Sequence, residues 1–211
     1  RSTMIAYGAE VPEDGADLEG FELPRRRYVL YAGRLEPENN PELVIRAYRQ
    51  VQTDWPLVIV GGNPYDGSYV GRIKSLADSR VVFTGAVYGK QYWSLLKNAG
   101  LYVYAGEVGG THPALIEAMA VEKAVLYLDT AENRETVGDC GVAFRPDVDD
   151  LAAKTLTLIR DSDLRSELGR RARERAQKTY TWEGVTQKYE DVFFEVLGKE
   201  PRRDIPNSSS R

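Results

Sequence analysis

Arg34 and Glu117 are the charged residues whose surroundings could do chemistry. Arg34 follows Gly33 directly after an apolar run, and its guanidinium carries a permanent charge suited to phosphate oxygens. Glu117 lies between apolar residues in "EVGGTHPALIEAMA" (107–120), in a predicted helix that begins just after two adjacent glycines. A helix start offers backbone N–H groups to an anion. The pattern predicts an anion site for phosphate. Glu117 would lie about one sugar away from that phosphate, where its carboxylate can accept hydrogen bonds from a ribose diol.

Each of these residues also has an ordinary structural explanation. Arg34 could pair with Glu36 or Glu38, which follow it closely in the sequence. Glu117 could be a boundary carboxylate on a surface helix. His112 lies at the start of the same helix, where it could cap the helix or contact a ligand.

Six short apolar runs alternate with segments of helical periodicity. The hydrophobicity of each run is continuous, which indicates strands buried on both faces, as in a parallel sheet. Helical segments at 41–51, 66–78, 90–99 and 113–120 fill the first four gaps, and only helices follow Pro146. This alternation predicts an α/β, Rossmann-like doubly wound sheet of about six strands with C-terminal helices. The runs are "YVLYAG" (28–33), "LVIVGG" (57–62), "VVFTG" (81–85), "LYVYAG" (101–106), "AVLYLD" (124–129) and "GVAF" (141–144).

The composition of the chain ends suggests a domain organisation. We expect residues 1–20 to be the remnant of an interdomain linker, within which "TMIAYG" is strand-like, and residues 21–180 to form one Rossmann-like domain. Residues 181–197 read as a helix with an apolar face. Residues 198–211 are polar and rich in Pro and Ser, so we expect a flexible tail.

Composition and charge exclude several classes of protein. The formal net charge of −4 argues against a general nucleic-acid binder, because phosphate neutralisation needs a basic surface. A single cysteine, Cys140, and a single histidine exclude an internal disulfide and metal sites built from cysteines or several histidines. The acidic run "DVDD" (147–150) precedes a helix and is expected to cap it. No run approaches the roughly 18 apolar residues of a membrane span, and the first residues lack the apolar core of a signal peptide, so we expect a cytoplasmic protein. Since no metal-ligand set is evident in the sequence, we expect no bound metal and no cofactor.

Glycines cluster where a parallel sheet would bind a ligand. Ligands of open parallel sheets bind outside the carboxyl ends of the strands. Glycine permits a positive φ there and lets the main chain approach a ligand closely. Turns between a strand and a helix commonly contain glycine for conformational reasons alone. Four glycine-containing turns at one edge of the sheet favour a ligand-binding site. These glycines are Gly33, Gly61 with Gly62, Gly85, and Gly106 followed by Gly109 and Gly110.

Four segments together resemble the C-terminal, donor-binding half of retaining GT-B glycosyltransferases of family 4 (group 1). The similarity extends from about residue 20 to residue 197, with the motifs in the family's order. The form "VGGTHPALIEAMA" looks most like that of a bacterial subgroup that includes rhamnosyltransferase-like enzymes of surface-polysaccharide assembly. The segments are "YVLYAGRLEPENNPELVIRAY", "LVIVGG", "VVFTGAVYGKQYWSLLKNAGLYVYAGEVGGTHPALIEAMA" and "YTWEGVTQKYEDVFFEVL".

The resemblance implies a role for each matching residue. Arg34 would be the catalytic residue that stabilises the leaving diphosphate, and Glu117 would bind the ribose. The family's lysine falls on Asn39 or Asn40, so one phosphate-binding charge is missing.

The resemblance also implies a second glutamate, which the chain lacks at the usual place. The family's first glutamate, which supports the transferred sugar, falls on Gly109, and the nearest carboxylate is Glu107. The amides of Gly110 and Thr111 would then approach the sugar and phosphate, and the nucleobase would lie against the loop after Gly85. The implied donor site is Gly33, Arg34, Asn39, Gly85, Ala86, Val87, Glu107, Gly109, Gly110, Thr111, His112 and Glu117, with no metal.

The implied function is transfer of a sugar from a nucleotide diphosphate sugar to a glycan or lipid-linked acceptor in polysaccharide synthesis. The donor could be dTDP-, UDP- or GDP-linked, and rhamnosyl transfer is suggested by one motif. The acceptor would bind to a missing N-terminal domain, so we expect this chain alone to be inactive and membrane association to belong to the full-length protein. Two alternatives stay open: a non-catalytic nucleotide-sugar-binding domain and a GT-B-fold sugar-nucleotide 2-epimerase.

Overall fold

All six apolar runs form strands of one parallel sheet. The computed structural model describes residues 2–13, 17–18 and 20–198, and within them the six strands are hydrogen-bonded in a single layer. They are Val29–Ala32 (β1), Leu57–Val60 (β2), Val81–Gly85 (β3), Leu101–Tyr104 (β4), Val125–Leu128 (β5) and Val142–Phe144 (β6). The sheet order is β3-β2-β1-β4-β5-β6, and every neighbouring pair is parallel. The predicted doubly wound α/β fold is confirmed.

Helices occupy every crossover between the strands. The helix Ala131–Val137 was not predicted, although the hydroxyl of Thr130 accepts a hydrogen bond from the N–H of Asn133 at its start, a common N-cap pattern. The other predicted helical segments are helices. The α-helices among the described residues are Pro41–Gln50 (α1), Gly67–Ser75 (α2), Gly89–Asn98 (α3), Pro113–Ala120 (α4), Ala131–Val137 (α5), Val148–Arg160 (α6), Ser162–Thr179 (α7) and Trp182–Leu197 (α8), with a short 3-10 helix at Pro37–Asn39.

Strand β1 illustrates how the sheet is buried on both faces. Val29 and Tyr31 belong to the apolar cluster that α1, α2 and α6 cover. Leu30 and Ala32 belong to the cluster on the opposite face, which α3 and α4 cover. Every residue of β1, β2, β4 and β5 is buried. This double burial is why the apolar runs are continuous rather than alternating.

The N-terminal segment "TMIAYG" is not a strand, so that expectation is wrong. Residues 2–10 have no regular secondary structure. The N–H of Ala9 donates to the carbonyl of Tyr180 at 2.8 Å. Gly8 lies so close to Trp182 that an added Cβ would come within 2.8 Å of its backbone nitrogen. The segment therefore packs along the start of α8 and does not pair with an edge strand of the sheet.

Helix α8 leaves much of its apolar face uncovered. The predicted helix at 181–197 is present, but Val185 is its one buried residue. The side chain of Phe193 is 61% exposed, and Tyr189, Val196 and Leu197 are exposed as well. Gly198 ends the helix in a left-handed conformation, and the rest of the predicted tail lies outside the described residues.

Glycines join the carboxyl ends of the first three strands. The N–H of Gly33 donates to the carbonyl of Val60 at 3.0 Å, and the N–H of Gly61 donates to the carbonyl of Gly85 at 2.8 Å. Gly61 has a φ of +145°, and a Cβ added to it would lie 1.8 Å from the carbonyl oxygen of Gly33. Only glycine fits here. Gly61 therefore allows the end of β2 to lie directly against the end of β1 at Gly33.

We predict that Gly61→Ala lowers the free energy of unfolding while Gly62→Ala does not. Backbone strain alone costs about 1–3 kcal/mol at such a φ, and the clash with Gly33 adds to it. At Gly62, an added Cβ meets no atom within 4 Å, so we expect a change within about 0.5 kcal/mol. Urea unfolding followed by circular dichroism measures both variants. Equal stability of the two variants would contradict this account.

Candidate functional site

A small cavity lies at the carboxyl ends of β1 and β4. The order of the sheet reverses between these two strands, and such a switch point is where doubly wound sheets leave a crevice for ligands. The cavity has a volume of about 200 Å³. Its lining consists of Tyr31, Ala32, Gly33, Arg34, Asn39, Tyr104, Ala105, Gly106, Val108, His112, Pro113 and Ala114.

Only some of the predicted site residues line this cavity. Gly33, Arg34, Asn39 and His112 do, together with two tyrosines that were not predicted. Both tyrosines begin a Tyr-Ala-Gly sequence at a strand end, at 31–33 and at 104–106. That recurrence in adjacent parallel strands is the signal that could have identified them.

The guanidinium of Arg34 is exposed and lightly held. Its side chain is 72% exposed and lies 3.1 Å from Glu36 Oε2, while the aligned hydrogen bond, at 3.3 Å, goes to Oε1. The ion pair between Arg34 and Glu36, which the sequence suggested as the structural role of Arg34, therefore exists. The pair is exposed on the side of the arginine alone, because the carboxylate of Glu36 is 15% exposed. The open side of the guanidinium is therefore accessible to an incoming anion. Asn39 donates from Nδ2 to the carbonyl of Arg34 at 2.9 Å, which fixes the main chain beside the guanidinium.

Glu107 is held by the loop after β1 and does not line the cavity. Its Oε1 accepts a hydrogen bond from Asn40 Nδ2 at 2.9 Å, and its N–H donates to the carbonyl of Glu38 at 2.9 Å. Asn40 also donates to the carbonyl of Ala105 at 3.0 Å. Asn40 therefore acts as a bridge between two loops, and neither it nor Asn39 supplies the cation that the family pattern would place there.

The backbone at Gly109 explains why no glutamate stands there. Gly109 has a φ of +138°, and an added Cβ would lie 2.5 Å from Cε1 of His112. The imidazole instead packs on the ring of Tyr104, with centroids 4.9 Å apart. His112 is the N-cap residue of α4, and its carbonyl accepts from the N–H groups of Leu115 and Ile116, but its side chain makes no capping hydrogen bond. Burial lowers the pKa of His112, and Glu132 opposes that shift.

The start of α4 offers fewer amides than a typical helix. Pro113 has no N–H, and the N–H of Leu115 donates to the carbonyl of His112 at 3.1 Å. Of the first three helical residues, Ala114, which lines the cavity, keeps its N–H for a ligand. Gly110 and Thr111 lie just before it, and Gly110 is exposed with open space around it.

Glu117 does not line the cavity, but it lies one turn into α4, whose first residues do. Its Oε2 accepts a hydrogen bond from the hydroxyl of Tyr92 at 2.7 Å, and Tyr92 is in the first turn of α3, directly after that loop. Gly85 has a φ of +74°, and Ala86 is exposed whereas Val87 is half-buried. These loop residues do not line the cavity, because β3 is two strands, or roughly 10 Å, from β1. Glu117 thus connects the helix whose start lines the cavity to the helix that follows the β3 loop.

A larger cavity of about 730 Å³ lies at the opposite edge, around the amino ends of the strands. Arg26, Gly100, Lys123 and Arg173 are among its lining residues, and none of the predicted site residues is. Lys123 donates from Nζ to the carbonyl of Lys97 at 2.8 Å, and burial lowers its pKa to about 8. Its amine therefore holds the end of α3.

The described residues contain no group of three or more His, Cys, Asp or Glu side chains that could hold a metal ion. The first residue of the "DVDD" run, Asp147, caps α6 by accepting from the N–H of Asp150 at 2.8 Å, which confirms the capping interpretation. Among these same residues, no helix is both long and apolar enough to cross a membrane.

Comparison with known proteins identifies relatives of the chain. The family model described as "Glycosyl transferases group 1" matches residues 19–175. The O-antigen chain mannosyltransferase B of Escherichia coli is 25% identical over 197 residues, which cover 88% of this chain and 51% of that protein. The chain spans about half the length of the curated relatives it matches.

Solved structures share the fold. Sucrose-phosphate synthase from Thermosynechococcus elongatus matches with a TM-score of 0.78 at 21% identity, over 92% of this chain and 52% of that one. Alr3699/HepE of Anabaena, in complex with UDP-glucose, matches with a TM-score of 0.75 at 19% identity, over 80% of this chain and 49% of that one.

We predict that His112 titrates below its unfolded value of 6.5. Burial disfavours the charged imidazole, so the native state binds fewer protons than the unfolded state. Stability should therefore decrease as the pH falls from 6.5 through the lower native pKa, and this contribution should level off below it. The NMR titration of the one histidine, folded and in urea, measures both values. A native midpoint at or above the unfolded one would contradict this prediction, and His112→Asn should remove this part of the pH dependence.

Proposed function

The chain belongs to the glycosyl transferases group 1 family, and from this premise we propose that it is the donor-binding half of a retaining glycosyltransferase. The observation that carries the proposal is the arrangement along the carboxyl edge of the sheet. A cavity with the exposed Arg34 lies at the switch point, and Glu117 lies one turn into the helix whose start lines that cavity. The hydrogen-bond partner of Glu117, Tyr92, is in the helix that follows the loop after β3. We assign Arg34 to the diphosphate, Glu117 to the ribose and the loop after β3 to the base of a nucleoside diphosphate.

Arg34 is proposed to stabilise the leaving diphosphate. Its guanidinium is 72% exposed beside the mostly buried carboxylate of Glu36. It is therefore open to phosphate, since charge-assisted hydrogen bonds to phosphate are among the stronger ones in proteins. The N–H of Ala114 and the open main chain at Gly110 and Thr111 would add neutral donors. They replace part of the charge that the family's lysine would supply at Asn39.

Glu117 is proposed to bind the ribose, and the loop Gly85, Ala86 and Val87 the base. The structural relative that holds UDP-glucose supports a UDP-linked donor, while dTDP- and GDP-linked donors stay within the proposal. Relatives such as the O-antigen mannosyltransferase support a role in polysaccharide synthesis. Rhamnosyl transfer is the narrower form of the proposal and depends on the one motif variant at 108–120.

The acceptor is proposed to bind to a further domain of a longer protein. The chain spans 51% of one relative and 42% of another, and the uncovered apolar face of α8 is available to pack against such a domain. The chain alone would then bind donor and transfer nothing.

A second candidate is a non-catalytic nucleotide-sugar-binding domain. The observation that favours it is Gly109, whose positive φ and contact with His112 leave no room for a carboxylate. Glu107, the nearest carboxylate, is engaged by Asn40 instead of facing the cavity. Transfer of sugar by the full-length protein would exclude this candidate.

Calorimetric titration with UDP, GDP and dTDP tests the donor site. We expect Arg34→Ala and Glu117→Ala each to weaken binding of the same nucleotide by about 1–3 kcal/mol, the range for losing a charged hydrogen-bond partner. Arg27→Ala is the matched control, because Arg27 precedes β1, is similarly exposed and pairs with Asp54 at 2.7 Å. Binding that is insensitive to Arg34 and Glu117, or equally sensitive to Arg27, would contradict the site.

A further inference from the structure

Among the residues that the structure describes, Tyr92 alone forms a side-chain hydrogen bond with Glu117. Its hydroxyl donates to Glu117 Oε2 at 2.7 Å across the gap between α3 and α4. The ring is partly buried in the apolar cluster beneath these helices and meets Trp93 edge-on, with centroids 5.6 Å apart. The phenol is thus held by packing on one side and by a hydrogen bond on the other.

The phenol stays a hydrogen-bond donor at any physiological pH. Burial, followed by the nearby Tyr102 and Glu117, raises the pKa of Tyr92 far above its ordinary value. Tyr102 is itself fully buried, and its pKa is raised mainly by burial. The hydroxyl of Tyr102 donates to the carbonyl of Ala32, whereas the hydroxyl of Tyr92 donates to the carboxylate of Glu117.

The hydrogen bond restricts what Glu117 can do. A carboxylate has two oxygens that each accept, and the phenol occupies Oε2. Oε1 accepts no hydrogen bond from the residues that the structure describes, and the residue is half-buried. A carboxylate with one oxygen fixed by protein and the other open is oriented to accept from a ligand hydroxyl, without the freedom to rotate away.

We propose that Tyr92 is a positioning residue that orients Glu117 towards the ribose hydroxyls of the bound nucleotide. The inference rests on the proposed function, because it assumes that Glu117 binds the ribose. We further infer that the contribution of Glu117 to nucleotide affinity depends on Tyr92. This dependence is confined to ligands that have ribose hydroxyls.

The competing explanation is that the phenol merely ties α3 to α4. Tyr28 provides a matched control for it, because its buried hydroxyl also bonds to α3, at the carbonyl of Leu95. Tyr28→Phe and Tyr92→Phe each remove one oxygen atom and one attachment of α3. Only Tyr92→Phe removes a partner of Glu117.

The experiment compares UDP with 2′,3′-dideoxy-UDP by calorimetry on the whole chain. We expect Tyr92→Phe to weaken UDP about 3- to 10-fold, the equivalent of one hydrogen bond, and to change the dideoxy analogue less than about twofold. Tyr28→Phe should change neither ligand by more than about twofold. In a Glu117→Gln background, Tyr92→Phe should weaken UDP by a smaller factor than it does in the native chain.

The outcomes separate this inference from the proposed function. Equal effects of Tyr92→Phe on the two ligands, no effect on either, or an equal effect of Tyr28→Phe would overturn the positioning role. If Glu117→Gln weakens UDP and Tyr92→Phe does not, the inference fails while the proposed ribose contact stands. If the native chain binds GDP and not UDP, GDP and 2′,3′-dideoxy-GDP replace the uridine pair in the same comparison. If Glu117→Gln leaves nucleotide binding unchanged, or the native chain binds none of UDP, GDP and dTDP, the ribose contact and the inference fail together.

Discussion

The parallel direction of the six strands is the constraint on which the rest of the structure depends. It brings six carboxyl ends to one edge, and the reversal of order between β1 and β4 opens the cavity there. Backbone hydrogen bonds through Gly33, Gly61 and Gly85 link the ends of the first three strands, and the register of β2 with β3 shifts between Ile59 and Val60. Because Gly61 approaches Gly33 more closely than any side chain permits, the end of β2 lies directly against the end of β1, next to Arg34.

Most of the fold could be predicted because double burial leaves a clear mark on the sequence. Strands covered on both faces must be apolar throughout, which identified β1, β2, β4 and β5. Strands β3 and β6 are only partly buried, but their sequences are apolar as well. Helix α5 was missed because it has seven residues, too few to establish a periodicity. "TMIAYG" was taken for a strand because local apolar character cannot show whether a sheet edge or a helix will cover it. Here the partner is α8, more than 170 residues away in the chain.

Those site residues could be predicted that residue type and local spacing identify, whereas contacts between distant segments could not. Arg34 at a strand end and Glu117 in the helix after the glycines are local features. The contact of Tyr92 with Glu117 joins residues 25 positions apart on different helices, and no local pattern marks it. The absence of a glutamate at position 109 was evident from the sequence, but its reason, a positive φ and the proximity of His112, is a property of the folded backbone.

The central claim is that a nucleoside diphosphate binds at the carboxyl edge of the sheet and not in the larger cavity at the amino edge. NMR chemical-shift mapping of the backbone amides during titration with UDP tests it most directly. The account predicts shifts at Gly33, Gly110 and Thr111. Shifts confined to Gly100, Lys123 and Ala124, which line the amino-edge cavity, would contradict it.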